Sequence, residues 1–448
     1  MAEAAIAETP TMESQGQARR RYVLTLLMIA YVLSFLDRQV LSILVEPIKA
    51  ELHLKDADIG LLTGPVFVIF YTFLGVPIAW LADRRSRPMI IAVSLTLWSG
   101  FTALSGMATG FATLALARLG VGFGEAGCNP ASHSLIADVS RPNQRASGLA
   151  FYSMGVPIGT LLGLAMGGLI ADAWGWRAAF MVAAAPGLLL ALVIALTVKE
   201  PRAGLAAPVS LTKTVVTPIA DMLAVVKALA HKPTFWLAAT AAGFSAFVGY
   251  GEIYFNSSFF LRCHTAELAS IAAGFGLKSK GFLGLALGAM TGAGGLTGTL
   301  VGGWIADRAT TRDRRLFVSM PAIAALIAVP FILTIFTIHS VMIAILLLFV
   351  PNVVSTIWYG PVYSTAQSVV EPRYRATAAA LLLLILNLIG LGLGPPFLGA
   401  LSDYLAKSGG LGVAEGLRWA MIGSGMVSVV AAGLFWLARR TIREDVVS

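Results

Sequence analysis

Twelve long apolar stretches constrain the fold of this chain more than any other feature of its sequence. Each is long enough to cross about 30 Å of hydrocarbon as a helix. Of its residues, 57% are hydrophobic and only 12% are charged, which is more apolar sequence than a soluble core can bury. Because backbone polar groups cannot stay unpaired in lipid, we predict an all-α polytopic membrane protein. The predicted spans are 22–45, 59–81, 88–107, 111–137, 147–170, 178–198, 234–261, 281–305, 316–337, 340–366, 376–401 and 417–438.

The positions of the basic residues predict how the chain crosses the membrane. The N-terminal tail, every second connecting loop and the C-terminus hold 22 of the 32 lysines and arginines, whereas the other loops hold 8. Basic loops stay in the cytoplasm, so both termini are predicted to be cytoplasmic. This distribution accounts for the net charge of +9 without a nucleic-acid partner. The polar N-terminus has no signal-peptide core, and we expect a bacterial inner (plasma) membrane protein.

A repeated motif divides the chain into two halves. AWLADRRSR around Asp83 returns as GWIADRATTR around Asp307, and two other short matches recur at nearly the same offset. The offset spans an even number of helices, so the halves are predicted to be parallel repeats of six helices each. The polar connection between them carries apolar residues at helical spacing, which predicts an amphipathic surface helix. The predicted organisation is a disordered tail over 1–20, a first half over 21–198, a linker over 199–233, a second half over 234–438 and a tail over 439–448.

Charged residues inside the apolar stretches mark the candidate functional site. RLGVGFGEAGCNPASHSLIAD carries Arg118 and Glu125, two helical turns and about 10 Å apart on one helix face. Asp37 and Arg38 are neighbours in the first span and point about 100° apart, so each needs a partner elsewhere. Glu125 and Arg118 are the candidate partners. Charges at bilayer depth are costly and normally face a cavity or a partner charge, so we interpret these four residues as functional. A static buried ion-pair network is the alternative.

Polar and aromatic side chains on other spans are candidates for a binding cavity. Glu252 is the one carboxylate deep in the seventh span, where it either lines the cavity or lies at its outer rim. His133 would extend a proton path, although a lone histidine near a helix end is more often simply hydrogen-bonded. Aromatic residues in membrane helices are more often packing or interface anchors. The candidate substrate-binding residues are Arg118, Glu125, Asp37, Glu252, Tyr250, Asn256, Asn352, Trp358 and Asn387.

Two glycine ladders predict close helix contacts. Glycines four residues apart stack on one face of the fifth span and on one face of the eighth. The repeated acidic motif adds charges that can latch neighbouring helix ends. The candidate gating residues are Asp83, Arg84, Asp307, Arg308, Gly155, Gly159, Gly288 and Gly292.

The repeated Asp-Arg loop resembles the signature of the major facilitator superfamily, with Ser86 where glycine is usual and Pro88 where a basic residue is common. Twelve helices in two parallel-repeat halves also match that fold. In the superfamily the fifth and eighth helices meet between the halves, so the resemblance implies that the ladders permit sliding there. YVLSFLDRQVLSIL and RLGVGFGEAGCNPASHSLIAD further resemble the spinster family of lysolipid transporters. This resemblance implies proton-coupling roles for Asp37, Arg38, Arg118 and Glu125.

The expected function is secondary active transport of an amphipathic, phosphate-bearing lysolipid by alternating access, coupled to protons. Arg118 would attract the head group, and Glu125 with Asp37 would carry the proton, because moving an arginine toward or away from a carboxylate changes its affinity for a proton. The alternatives are a carrier of a small organic acid or drug, and a receptor or scaffold, which the two-half repeat disfavours. The sequence lacks H-E-x-x-H, G-x-S-x-G and P-loop motifs, so we expect no enzyme, metal or cofactor. We expect a monomer in contact with membrane lipid.

Overall fold

The computed structural model is built of helices joined by short segments wherever it describes the chain. The described residues are 12–82, 84–141, 144–201, 226–311, 313–371 and 374–446. The first half comprises α1 (Met12–Ile43), α2 (Val45–Leu52), α3 (Asp56–Thr63), α4 (Pro65–Ala82), α5 (Arg87–Ser105), α6 (Phe111–Glu125), α7 (Cys128–Val139), α8 (Arg145–Ser153) and α9 (Gly155–Thr197). The second comprises α10 (Pro233–Cys263), α11 (Thr265–Gly274), α12 (Ser279–Thr311), α13 (Leu316–Thr337), α14 (Val341–Leu347), α15 (Phe349–Ile357), α16 (Tyr359–Ser368), α17 (Arg375–Leu386), a π-helix (Asn387–Leu391), α18 (Gly392–Lys407) and α19 (Gly412–Asp445).

These helices account for every predicted span. Nine helical stretches within the described ranges are long and apolar enough to cross a membrane. One of them, Ser147–Thr197, has 51 residues, too many for one crossing at about 1.5 Å per residue. It contains the predicted fifth and sixth spans, separated at Gly175, whose φ of 85° is not helical. The more polar α6–α7 and α10 cover the predicted fourth and seventh spans. The predicted all-α polytopic fold is confirmed. The central part of the predicted linker, 202–225, lies outside the described residues.

Glycines in α6 bring neighbouring backbones close to the candidate site. A Cβ at Gly122 would lie 2.5 Å from the carbonyl oxygen of Phe67, and one at Gly124 would lie 2.6 Å from the backbone nitrogen of Trp98. Helices α4 and α5 therefore pack directly on the α6 backbone. Helix α6 ends at Glu125 and α7 begins at Cys128, two residues before Pro130. The charged residues of α6 are thereby enclosed by protein and not exposed to lipid.

The two glycine ladders face different partners. Gly284, Gly288 and Gly292 of α12 lie against Leu164, Leu161 and Pro157 of α9, at the seam between the halves. The ladder of α9 does not take part in that contact, and here the sequence-based expectation is wrong. Its members pack on the first helix of their own half, Gly155 against Val32 and Tyr31, Gly159 against Val32 and Phe35. Spacing shows which residues share a helix face, but it does not identify the helix that this face meets.

We expect alanine at Gly159 and alanine at Gly284 to have different consequences. An added Cβ at Gly159 overlaps the Val32 carbonyl oxygen within one half, and one at Gly284 overlaps the Leu164 carbonyl oxygen between the halves. Overpacking of this kind costs about 1–3 kcal/mol. Gly159→Ala should therefore lower the melting temperature in every conformational state, whereas Gly284→Ala should mainly disfavour the conformation seen here. Melting curves and inter-half distances from paired spin labels test this, and equal melting losses without a distance change would contradict it.

Ion pairs join the two halves on the face opposite the chain termini. The guanidinium of Arg262, at the end of α10, donates to Glu46 (2.6 Å) and to Asp56 (2.7 Å). The Ala57 backbone N–H donates to Asp403 at 2.9 Å, which links α3 to α18. We call Glu46, Asp56, Arg262 and Asp403 the latch. On the face that bears the termini, ion pairs such as Arg87–Asp138 and Arg443–Asp313 lie within one half.

Candidate functional site

The centre of the site is a buried ion pair between the first and fourth predicted spans. Arg38 donates from Nε to Oε2 of Glu125 at 2.9 Å, and from Nη2 to the same oxygen. Ser34, one turn earlier in α1, donates to that oxygen at 3.0 Å. Glu125 is only 1% exposed. The structure therefore pairs Arg38 with Glu125, which is one of its two predicted candidate partners.

Aromatic rings surround the guanidinium of Arg38. The rings of Phe35, Phe67 and Tyr71 have their centroids 5.2, 4.7 and 4.8 Å from its Cζ atom. A guanidinium over an aromatic face is attracted by the ring quadrupole, more strongly when water is excluded. We call these three rings the aromatic box, and it contributes an attraction for Arg38 that does not depend on the charge of Glu125.

Asp37 lies apart from the ion pair. Its carboxylate accepts a hydrogen bond from Thr102 of α5, and its Oδ1 has no partner among the described residues. The separation follows from helix geometry, because adjacent residues point about 100° apart. Asp37 is thus a second buried acid of the same half.

Arg118 is a buried arginine of this site that forms no ion pair within the described chain, although Asp37 lies close enough to interact with it electrostatically. It is 1% exposed, and within the described chain its Nε and Nη2 have no hydrogen-bond partner. By contrast, Arg38, Arg87 and Arg262 each bind a carboxylate. The Arg118 Cζ lies 5.2 Å from the Phe67 ring, so this ring lies beside both guanidiniums. An unpaired buried charge is strongly unfavourable, so Arg118 is a candidate residue for binding an anionic ligand.

The second half contributes tyrosines and an amide. Tyr254 of α10 interacts electrostatically with Arg118, Arg38 and Glu125, and Tyr250 lies one turn before it on the same face. Asn387 donates to the Thr72 hydroxyl of α4 at 3.4 Å, across the two halves. It also begins the π-helix Asn387–Leu391, a local widening that occurs often at functional sites. Of the predicted binding residues in this half, Tyr250 and Asn387 are therefore brought toward the charged cluster.

Comparison with known proteins agrees with this architecture. Residues 27–395 match the Major Facilitator Superfamily. The chain belongs to this superfamily. Within it the chain is spinster-like: it shares 33% identity and a TM-score of 0.83 with the crystal structure of a bacterial homolog of the human lysosomal transporter Spinster, inward-facing and unoccupied, with 96% of this chain and 99% of that chain covered.

Two curated relatives span nearly the whole chain. An MFS-type efflux pump of Mycolicibacterium smegmatis is 31% identical over 98% of this chain and 97% of its own length. The Sphingosine-1-phosphate transporter SPNS2 of Danio rerio is 26% identical over 91% of this chain and 81% of its own length. The superfamily consists of transporters and not enzymes, and the chain is an integral, multi-pass membrane protein.

Several predicted binding residues lie away from the charged cluster of this transporter. Glu252 follows Tyr250 by two residues and therefore points about 200° away from it round the helix. Its Oε1 lies 3.6 Å from the place that a Cβ added to Gly425 of α19 would occupy. Asn256, one turn beyond Glu252, lies on the same side of α10. Asn352 donates to a carbonyl of its own helix, and Trp358 is buried in the core of the second half. The sequence identified polar residues in the right helices, but packing decides which face lines the cavity.

The candidate gating residues of the transporter also differ in their surroundings. Arg308 lies over the Trp304 ring at 3.9 Å, and Asp307 beside it is exposed. Asp83 lies outside the described residues, and its neighbour Arg84 is exposed. Sequence reasoning missed Arg87 of the same loop, which is fully buried and binds Asp138 and Glu200.

Sequence reasoning also missed the residues that position the ion pair. Phe67 and Tyr71 are one helical turn apart in α4, and this spacing was an available sign that they share a face. Nothing in the local sequence singled out Ser34 or Thr102, because their roles depend on which helices meet.

Proposed function

We propose that this transporter couples proton movement to the movement of an amphipathic anion with a phosphate head group, of the lysolipid type, by alternating access. The observation that carries the proposal is Arg118, a buried arginine close to the Arg38–Glu125 pair that forms no ion pair with a described residue. A phosphate supplies the missing charge and accepts several hydrogen bonds from one guanidinium.

The ion pair gives this proposal a proton step. When Glu125 is ionised it binds Arg38, and when it is protonated it releases much of that attraction. Arg38 then stays in its aromatic box as a second cation that faces the substrate site. Asp37, which accepts a hydrogen bond from Thr102, is the assisting acid. Proton uptake thus raises the positive charge available to an anionic head group.

The two faces of the molecule support alternating access. The latch closes the face opposite the termini, and the similar Spinster homolog structure is inward-facing. We propose that the halves over 21–198 and 234–438 rock about the α9–α12 seam, with both termini in the cytoplasm of a bacterial cell. The monomer, surrounded by lipid, is the proposed working unit.

The choice of a lysolipid is supported by a relative that is named a Sphingosine-1-phosphate transporter. Sphingosine-1-phosphate is a lipid phosphate with a single chain. The second candidate is a small organic acid or a drug, because another relative is named an efflux pump. Both candidates use the cation of Arg118. They differ in whether affinity increases with the length of an apolar tail.

Replacing Arg118 with glutamine tests the head-group assignment. We expect binding of a lysophospholipid to weaken at least tenfold, since a hydrogen bond to its charged phosphate contributes about 1.5–3 kcal/mol. Arg177→Gln is the matched control, because Arg177 lies at the far face and binds the exposed Glu51. Thermal-shift titrations with a series of tail lengths measure both effects. Unchanged affinity in Arg118→Gln would refute the assignment, and affinity independent of tail length would favour the organic-acid alternative.

A further inference from the structure

A cleft lined by arginines lies at the end of α19, far from the central ion pair. It has a volume of about 260 Å³ and is lined by Arg315, Trp436, Arg439 and Arg440. The cleft is on the face that bears the termini, because α19 ends at Asp445 and Arg315 immediately precedes α13.

Neighbouring acids neutralise the cations of this cleft only in part. The nearby Asp313 binds Arg443 at 3.0 Å and accepts a hydrogen bond from the Arg315 backbone N–H. That hydrogen bond, with the charges of Arg443 and Arg315 beside it, holds the pKa of Asp313 below its usual range, so one carboxylate charge is shared between two arginines. Within the described chain no carboxylate forms an ion pair with the three lining arginines, and Nε of Arg315 is buried without a partner. Three lining arginines beside one shared carboxylate therefore give the cleft a net positive charge.

Exposed apolar side chains lie on the two helices that carry the cleft. Helices α13 and α19 pack side by side. On α19, Val429, Gly433 and Leu437 follow one exposed face toward Arg440, and the space above Gly433 is open, with no atom within 4 Å of an added Cβ. On α13, large apolar side chains are exposed at Met320, Ile323 and Ile327. Trp436 is 46% exposed between the arginines and this surface, as expected of a residue at the membrane interface.

We infer that this cleft binds the head group of an anionic two-chain phospholipid of the surrounding membrane, with an acyl chain lying along α19 past Gly433. The charge of the cleft matches a phosphate, and Arg presents a planar fork to phosphate oxygens. A soluble anion would contact only the arginines. A lipid would also place its tail on the exposed apolar side chains of α13 and α19. The side chain of Arg439 over the Trp436 ring, at 4.8 Å, shows one cation already positioned at the rim.

Lipid binding to the purified full-length protein tests the inference. The probes are dioleoyl phosphatidylglycerol, dioleoyl phosphatidylcholine and soluble sn-glycerol 3-phosphate, with affinity measured by thermal shift. We expect phosphatidylglycerol to bind at least tenfold more tightly than phosphatidylcholine, and glycerol 3-phosphate to give no shift. Arg439→Gln and Arg440→Gln should each weaken phosphatidylglycerol binding about fivefold, as expected for one basic residue near an anionic surface. Gly433→Leu should weaken it without a change of charge, which provides a test independent of the arginine variants.

Two controls make the outcome decisive. Arg314→Gln removes one charge from the neighbouring residue, which is exposed and does not line the cleft, and it should change the affinity by less than twofold. Arg118→Gln should leave phosphatidylglycerol binding intact, which separates this cleft from the substrate site. Equal losses in Arg314→Gln and Arg439→Gln, equal affinity for the two phospholipids, or a full shift with glycerol 3-phosphate would each overturn the inference.

Discussion

Replacing Glu125 with glutamine is expected to abolish substrate accumulation driven by a pH gradient, while exchange of substrate across the membrane continues. Glutamine keeps the shape of the side chain but neither ionises nor binds a proton. The substitution removes the carboxylate that forms an ion pair with Arg38, which mimics the protonated state of the pair. The transporter would then bind and exchange its substrate without gaining free energy from the gradient.

The measurement is substrate uptake into proteoliposomes with and without an imposed pH gradient. Glu51→Gln is the matched control, because Glu51 is an exposed glutamate at the opposite face that binds Arg177. It should retain full gradient-driven uptake. If Glu125→Gln still concentrates substrate in response to the gradient, the proton site lies elsewhere. If Glu125→Gln and Arg38→Gln both chiefly lower stability, by about 3–5 kcal/mol, the pair is a static structural element.

The architecture was predictable because its signals are local and strong. A helix that crosses a membrane needs about 20 apolar residues, and such stretches are visible without knowledge of their neighbours. The break at Gly175, between the fifth and sixth spans, also lies in the gap that the sequence predicted. The cost of a buried charge likewise identified Asp37, Arg38, Arg118 and Glu125 as a group.

The pairing within that group was not predictable, because it depends on contacts between helices. Arg118 and Glu125 share a helix face, yet the structure pairs Glu125 with Arg38 of α1 and leaves Arg118 without an ion pair among the described residues. The same limit explains the ladder of Gly155 and Gly159, whose spacing is correct but whose neighbour is α1. Helical periodicity shows which residues share a face of one helix, whereas a binding site depends on how several helices pack together.

Replacing Arg262 with glutamine is expected to shift the transporter away from the conformation seen here. Arg262 is the cation that joins Glu46 and Asp56 of the first half to α10 of the second. Asp56 is almost fully buried and also accepts a hydrogen bond from Ser402 at 2.7 Å. Removing one partner of a buried pair costs about 3–5 kcal/mol, and this cost falls only on the state in which the latch is closed. Conformational states of transporters differ by a few kcal/mol, so the change is enough to reverse their populations.

Spin labels on the two sides of the latch report this shift. Exposed Lys55 and Lys407 lie on the first and second half, and both can be labelled once Cys128 and Cys263 have been replaced. We expect one short distance in the parent protein and a dominant longer distance in Arg262→Gln, with loss of transport. Arg418→Gln is the matched control, because Arg418 binds Glu415 on the same helix and joins no halves. A short distance that persists in Arg262→Gln would mean that helix packing between α3 and α18, and not the latch, keeps this face closed.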